Sequence, residues 1–225
     1  MKIKGTFTLR RIFPALGSDD IDFLQKHSSV IKLKKGQNLF ISGDSPRSIY
    51  AVANGCLKIV RESQDGGNVI MRIVGPGQIV GMREIFGETN YSRTSVSLKE
   101  TEVFSIDKEA IFSLFKKNPL FSVQFLKIFC EEISLLEQRI EADLYKSAKT
   151  RVASVIYNLY LLFGSENSKT FEPPVNRKDI SELADVTPET VSRAIADFKK
   201  NKVLEVRGAT FSILDFEFFQ GDNDN

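Results

Sequence analysis

Three polar residues near the C-terminus, Glu189, Ser192 and Arg193, have side chains whose chemistry suits the reading of DNA bases. Glutamate accepts a hydrogen bond from the cytosine amino group, arginine donates two parallel hydrogen bonds to guanine, and serine serves either role. At about 100° per residue of an α-helix they share one face with Ala196 and Lys200. The opposite face is apolar and consists of Val191, Ala194, Ile195 and Phe198. The pattern predicts a helix that packs one face and leaves the other free to read bases.

The residues before this segment predict that it is the second helix of a helix-turn-helix. A first helix is expected to begin after an Asn176 cap and to break at residues 185–186. Thr187 then provides a capping side chain and Pro188 the first position of the next helix. An ordinary amphipathic surface helix also has a charged outer face, so periodicity alone leaves that alternative open. The preceding helix, the short break and a following hairpin favour DNA binding.

The hairpin is predicted at residues 202–214, with its bend at 207–208, and is interpreted as the wing of a winged helix. Basic residues around the second helix are predicted to contact phosphates, which adds affinity without sequence preference. Each alone is equally compatible with a solvated surface, so the prediction depends on the cluster of Arg177, Lys178, Lys199, Lys200, Lys202 and Arg207. The predicted DNA-binding residues are Arg177, Thr187, Pro188, Glu189, Thr190, Ser192, Arg193, Lys200 and Arg207.

The N-terminal half has the regular spacing of turn residues that is typical of an antiparallel β-structure. Between about residues 29 and 106, turn residues separate short β-rich runs such as those at 49–52, 57–60 and 69–74. This pattern predicts an antiparallel roll or sandwich. The glycines at 75 and 77 are interpreted as turn residues, because no Gly-Lys-Ser/Thr sequence and no helix start follow them as in a phosphate-binding loop.

A short helix is predicted at residues 107–117 and a long one at 120–144. Apolar residues on the long helix recur at alternating steps of three and four, the spacing with which two helices pack together. They predict the seam of a homodimer, formed by Leu126, Phe129, Ile133, Leu136 and Ile140. The alternative is that the stripe packs only on its own subunit, and the roll is expected to cover Phe121 and Phe125. A dimer would present two recognition helices to successive major grooves, about 34 Å apart.

Over nearly the whole chain these motifs resemble the bacterial Crp/Fnr superfamily. The family's recognition helix carries a glutamate, a variable residue and an arginine with the spacing of Glu189, Ser192 and Arg193. The Glu-x-x-Ser-Arg version resembles the Fnr branch, which implies a TTGA-type half-site. The cyclic-AMP receptor branch reads a TGTGA-type site and has an arginine where this chain has Pro188. Asp185 stands where the family usually has glycine, and aspartate tolerates the left-handed backbone better than most residues.

The resemblance also implies an effector pocket in the roll, formed by Gly81, Met82, Arg83, Glu84, Arg93, Thr94 and, on the long helix, Leu136. Met82 lies where the cyclic-AMP receptor branch has its ribose-binding glutamate, and a thioether is a poor hydrogen-bond acceptor. The sequence therefore argues against cyclic AMP. Arg93 and Thr94 retain groups that suit an anion. A different small or anionic molecule, control by abundance and an empty roll stay open, as do ion pairs within the domain for Arg83 and Arg93.

Composition excludes several classes of function. The 225 residues carry a formal net charge of +2 and allow one or two soluble domains. With neither a signal-like start nor an apolar run of membrane-spanning length, the protein is expected to be cytoplasmic and without membrane contacts. Cys56 and Cys130 are predicted to be buried, and two thiolates cannot ligate an iron–sulfur cluster that takes four. Neither a cluster nor haem is expected. His27 is predicted to end a helix, and no catalytic or metal-binding residues are identified.

Together these observations predict an α+β fold with an antiparallel β-roll of double-stranded β-helix or jelly-roll type, a long dimerisation helix and a C-terminal winged helix-turn-helix. The predicted boundaries are 1–117, 118–145 and 146–216, followed by a tail at 217–225. The predicted function is sequence-specific transcription regulation by a homodimer whose helix 188–200 binds a palindromic operator, under control of an unknown small effector. The alternative is a cyclic-nucleotide-binding signalling module without a direct DNA role. By family analogy, a loop at 164–170 could contact RNA polymerase.

Overall fold

The computed structural model describes residues 8–62, 68–87, 89–165 and 168–220. The chain divides into two compact units, with the boundary between Leu135 and Leu136 inside the long helix. Within the described ranges, no helix has both the length and the apolar character needed to cross a bilayer.

The first unit contains eight described strands and five helices. Its strands are β1 (Ser28–Leu33), β2 (Asn38–Phe40), β3 (Ser48–Asn54), β4 (Leu57–Glu62), β5 (Asn68–Val74), β6 (Ile79–Val80), β7 (Thr94–Ser97) and β8 (Thr101–Asp107). Its helices are α1 (Leu9–Ile12), α2 (Ser18–Lys26), α3 (Met82–Phe86), α4 (Lys108–Lys117) and α5 (Pro119–Tyr145), the last of which continues into the second unit.

The strands form two antiparallel four-stranded sheets, ordered β1-β8-β3-β6 and β2-β7-β4-β5. The predicted antiparallel roll is thereby confirmed. The connection from β3 of the first sheet to β4 of the second turns at Gly55, whose φ is +87°, and a Cβ there would collide with the backbone of Glu100 and Thr101. Only glycine fits this turn, because it both occupies the left-handed region and leaves room for the neighbouring chain.

Two apolar clusters hold the first unit together. One packs side chains of both sheets, including Leu33, Phe40, Leu57 and Val103. The other joins the helices to the first sheet around Phe13, whose ring centroid is 5.4 Å from that of Phe121 and 5.8 Å from that of Phe125. Phe121 and Phe125 of α5 are buried, as predicted for the part of the long helix that the roll covers.

A buried carboxylate ties α2 to the end of α4. Asp20 accepts hydrogen bonds from Lys117 Nζ at 2.8 Å and from Asn118 Nδ2 at 2.9 Å. These two donors, the Lys117 bond first, hold the pKa of Asp20 below its ordinary value. His27 lies at the C-terminal cap of α2, the helix-end position predicted from sequence.

The second unit contains four helices and three strands among the described residues. In chain order they are α6 (Ala148–Phe163), β9 (Thr170–Phe171), α7 (Arg177–Ala184), α8 (Pro188–Lys200), β10 (Leu204–Arg207), β11 (Thr210–Ile213) and α9 (Phe216–Gln220). The strands form an antiparallel sheet ordered β10-β11-β9. The pairing of Arg207 with Thr210 closes the predicted hairpin over residues 208–209, one position later than expected.

Three local features differ from the sequence analysis. β9 was not predicted, because two residues are too few to show an alternating pattern. The predicted tail includes most of α9, where Phe219 is buried with its ring centroid 5.6 Å from that of Phe198; residues 221–225 lie outside the described residues. Cys56 is buried as predicted, but the prediction for Cys130 was wrong, because it lies on an exposed face of α5.

We predict that Asp20→Asn lowers the free energy of unfolding of the first unit by about 1 kcal/mol at pH 7, a modest value because Lys117 is largely exposed. A carboxyl whose folded pKa is depressed contributes stability above its unfolded pKa of about 4 and loses it as pH falls through the folded pKa. The difference between wild type and variant should therefore shrink on acidification, as measured by urea unfolding at several pH values. Asp22→Asn, on the exposed side of α2, is the matched control. A difference that stays constant with pH would contradict this account.

Candidate DNA-binding surface and effector site

The helix-turn-helix is built from local capping interactions. The Asn176 side chain accepts from the Asp179 backbone N–H while Asp179 accepts from the Asn176 N–H, both at 2.9 Å, and this capping box begins α7. Asp185 ends α7 in the left-handed region, with φ 49° and ψ 54°. Thr187 caps α8 by accepting from the Thr190 N–H at 3.2 Å, and Pro188 is the first helical residue. Each cap lies at the residue that the sequence predicted.

The two faces of α8 differ sharply in exposure. Val191, Ala194, Ile195 and Phe198 are buried, with at most 5% of their surface exposed. Glu189, Ser192, Arg193, Ala196 and Lys200 are exposed, and so are the cap residues Thr187 and Pro188. Thr190 is half-buried. The polar face thus lies free within its own unit.

The middle of α8 is anchored to α6 by a cation. Lys149 forms an ion pair with Asp197 and lies 5.8 Å from the centre of the Phe198 ring. The hydrogen bond from Lys149 is the main cause of a pKa of Asp197 below its ordinary value. The ion pair and the ring contact hold α8 against α6.

Of the three predicted base-reading side chains, one has local partners and two have none among the described residues. Ser192 Oγ donates to the Pro188 carbonyl at 3.0 Å and accepts from Arg177 Nη1 at 3.3 Å. For Glu189 and Arg193, no side-chain hydrogen bond or ion pair with another described residue is formed. The carboxylate and guanidinium therefore need to break no protein contact before they bind a base, whereas the serine hydroxyl must exchange its partners.

A groove runs beside the reading face. It has a volume of about 490 Å³ and is lined by Arg177, Ser192, Ile195, Ala196, Lys199 and Lys200. Its cations bring positive charge from both α7 and α8 next to the predicted base-reading residues. Two other predicted phosphate contacts have acidic neighbours: Lys178 Nζ lies 4.0 Å from Glu182 Oε1, and Arg207 Nη2 on the wing lies 2.7 Å from Glu205 Oε1.

The residues predicted for the effector pocket occupy different environments. Met82 is 2% exposed and belongs to the apolar cluster under the helices, so its side chain fills the core. Glu84 is buried and accepts from Arg83 at 2.7 Å, while Arg83 also donates to Ser92 Oγ at 2.6 Å. Gly81, with φ 87°, caps α3. Met82 therefore offers no acceptor to a ribose hydroxyl, and the Glu84 carboxylate is already engaged by Arg83, so these residues do not fit the ribose of a cyclic nucleotide.

Arg93 lies near three other arginines of the roll. It is half-buried, and burial lowers its pKa first, followed by the charges of Arg83, Arg72 and Arg61, with Glu84 acting in the opposite direction. The guanidinium forms no hydrogen bond or ion pair with the described residues around it. Arg72 donates to Glu132 of α5 at 2.7 Å. Thr94 Oγ1 accepts from the Ser42 N–H at 3.1 Å, and Leu136 is an exposed residue of the second unit.

The predicted dimer seam is largely bare. Leu126, Ile133, Leu136 and Ile140 are between 54% and 62% exposed. Phe129 differs, since it is half-buried with its ring centroid 5.7 Å from that of Phe86 on the roll. Val123, Cys130 and Leu144 are also exposed and, at 100° per residue, lie on the same side as Ile133. These three residues were not predicted from the sequence because they lie outside the strict alternation of steps of three and four.

The arrangement of the ionisable side chains bears on metal binding and catalysis. No group of three or more His, Cys, Asp or Glu side chains in the described ranges is arranged to hold a metal ion. The ring of His27 lies 4.5 Å from that of Phe23, where it packs at the end of α2.

We predict that Asp185→Gly stabilises the second unit by about 1 kcal/mol, because glycine enters the left-handed region without the steric cost of a Cβ. The Asp185 side chain is exposed, so little is lost with it. Thermal unfolding monitored by calorimetry checks the result. Asp185→Val is the control and should lower the unfolding midpoint of the second unit. An unchanged or lowered midpoint for the glycine variant would contradict the argument from backbone strain.

Comparison with known proteins places the chain in a family. Residues 30–118 match the cyclic nucleotide-binding domain, and residues 150–220 match the Crp-like helix-turn-helix domain. The chain is 30% identical to the fumarate and nitrate reduction regulatory protein of Vibrio cholerae, over 81% of this chain and 73% of that protein. It is also 30% identical to the transcriptional activator protein FnrA of Stutzerimonas stutzeri, over 89% and 83% of the two chains.

A solved structure shows the same fold. FixK2 from Bradyrhizobium japonicum superposes with a TM-score of 0.78 at 16% identity, over 85% of this chain and 95% of that one. The DNA-binding domain and the regulatory relatives disfavour the alternative of a signalling module without a direct DNA role. With a roll, a helix-turn-helix and relatives of this identity and coverage, the chain belongs to the Crp/Fnr family of transcription regulators.

Proposed function

We propose that this regulator binds DNA as a homodimer and that α8 reads a TTGA-type half-site in the major groove. The observation that carries the proposal is the joint exposure of Glu189, Ser192 and Arg193 on one face of a helix whose opposite face is buried. In this arrangement Arg193 would donate to guanine, Glu189 would accept from a cytosine amino group, and Ser192 would contact a third base.

Contacts to the DNA backbone would come from the surroundings of α8. Arg177 and Lys200 line the groove beside the reading face, and Lys199 adds a third cation. Thr187, Pro188 and Thr190 form the N-terminal turn of α8, and the positive end of the helix dipole there suits a phosphate oxygen. These contacts would position the helix without discriminating between sequences. Arg207 would reach the backbone from the wing after leaving Glu205.

The homodimer would form through the bare face of α5. The exposed apolar residues of this face recur along most of the helix, from Val123 to Leu144. Two copies related by a two-fold axis would bury these residues against each other and would place two recognition helices on the halves of a palindrome.

The effector would bind in the roll and would be a small anion. Arg61, Arg72, Arg83 and Arg93 lie close enough together for the other three to disfavour the charge of Arg93. Of the carboxylates near them, Glu84 pairs with Arg83 and Glu132 pairs with Arg72. An anionic molecule would relieve the remaining repulsion at Arg93. A contact with RNA polymerase is proposed for the loop at 164–170, of which residues 166–167 lie outside the described ranges.

We predict that Arg193→Ala weakens binding to a TTGA palindrome by about 1–3 kcal/mol and relaxes discrimination against a substituted base, whereas Lys200→Ala weakens binding to all sequences by a similar factor. The measurement is fluorescence anisotropy at one fixed salt concentration with the TTGA palindrome, a TGTGA palindrome and scrambled DNA. Full discrimination by Arg193→Ala would contradict its role in reading bases. A wild-type protein that binds all three DNAs equally would contradict the proposed function itself.

We also predict that Ile133→Asp converts the dimer to monomers, because a charge would be buried without a partner in the seam. The matched control is Gln138→Asp, an exposed position on another side of the same helix, which should leave the dimer intact. Sedimentation velocity measures both variants. If the Ile133→Asp protein is still a dimer, the proposed seam on α5 is not the dimer interface.

A further inference from the structure

One arginine outside the reading face holds the turn of the helix-turn-helix. Arg151 lies in the first turns of α6 and is half-buried. Its Nε donates to the Ala184 carbonyl and its Nη2 to the Asp185 carbonyl, both at 2.9 Å. Its Nη1 donates to the Lys146 carbonyl at 3.3 Å. All three acceptors are main-chain oxygens, so the guanidinium binds the backbone at the end of α7 and in the segment between α5 and α6.

The end of α7 needs an external donor. The Ala184 carbonyl would ordinarily accept from the N–H four residues later, but that residue is Pro188, which has none. The left-handed Asp185 turns the chain away from the helix axis at this point. Arg151 supplies the missing hydrogen bond, and its positive charge complements the partial negative charge at the helix C-terminus.

The hydrogen bond from Arg151 to the Lys146 carbonyl connects the turn to a further segment of the chain. Lys146 directly follows the end of α5, and the part of α5 from Leu136 onward belongs to the same compact unit as the helix-turn-helix. One rigid, planar group therefore joins the end of the long helix to the residues immediately before Thr187, the cap of α8. Lysine has one point-like donor group and cannot span three carbonyls in this way.

We propose that Arg151 is a positioning residue for DNA recognition, which fixes where α8 begins relative to the end of α5. The inference rests on the proposed homodimer, in which α5 forms the two-fold seam. With α5 on the axis, the separation of the two recognition helices depends on this link. Arg151 then determines the half-site spacing that the dimer accepts.

The test measures affinity for TTGA palindromes whose central spacer is optimal, one base pair shorter or one base pair longer. For Arg151→Lys we expect the preference for the optimal spacer to fall by about fivefold or more, with affinity for non-specific DNA unchanged. Lys149→Ala is the matched control, because it removes the neighbouring cation of α6 that anchors α8 without contacting Lys146. It should lower affinity for all three spacers by the same factor. A spacer preference in Arg151→Lys equal to that of wild type would overturn the proposal.

A second variant separates positioning from simple stabilisation. Arg151→Lys is combined with Asp185→Gly. Glycine relieves the strain of the left-handed turn and so offsets the stability that Arg151→Lys loses, but the link to Lys146 stays broken. We expect a stable protein that still lacks the spacer preference. Recovery of the preference would show that Arg151 only stabilises the turn and would overturn the proposal. If wild type itself does not distinguish the TTGA palindrome from scrambled DNA, the proposed function fails instead.

Discussion

Burial of one face of α8 is the constraint on which the rest of the molecule depends. A helix packed through Val191, Ala194, Ile195 and Phe198 has no rotational freedom left, so the residues opposite them must point outward. The aromatic ring of Phe198 is enclosed by the rings of Phe218 and Phe219 from α9. The short terminal helix thus contributes to the direction in which Glu189, Ser192 and Arg193 face, although it lies far from them in sequence.

The helix-turn-helix was predictable from sequence almost to the residue, because its signals are local. A side-chain cap, a proline at the first helical position and a 3.6-residue apolar period each act within one or two turns. The left-handed turn at Asp185 was inferred only from the family's usual glycine, and the structure has that conformation. The same local reasoning predicted the strands of the roll from the spacing of their turns, which explains why the sheets were foreseen and their pairing order was not.

The features that escaped prediction depend on contacts between residues distant in sequence. Met82 aligned with a ligand-binding position, yet its side chain fills the core, because α3 packs it beneath the helices. Phe129 belonged to the predicted seam but packs on Phe86 of the roll. The reason is that α5 covers the roll along part of its length while another of its faces carries exposed apolar residues. The three backbone bonds of Arg151 leave no trace in a sequence pattern, because their acceptors are carbonyl oxygens that every residue has.

The long helix α5 has one side that packs on the roll and another that forms the proposed dimer seam. The position of its charged residues distinguishes the two sides. Glu132 pairs with Arg72 of β5, so the polar contact to the roll lies on a different side of α5 from its neighbour Ile133, about 100° away. An anion near Arg93 would compete with Glu132 for the same group of arginines, since carboxylates and anionic ligands bind guanidinium in the same way. The ion pair is partly exposed, so breaking it costs little. Under the proposed anionic effector, a ligand of modest affinity would be enough to change how tightly α5 is held to the roll, because the ion pair that it displaces is weak.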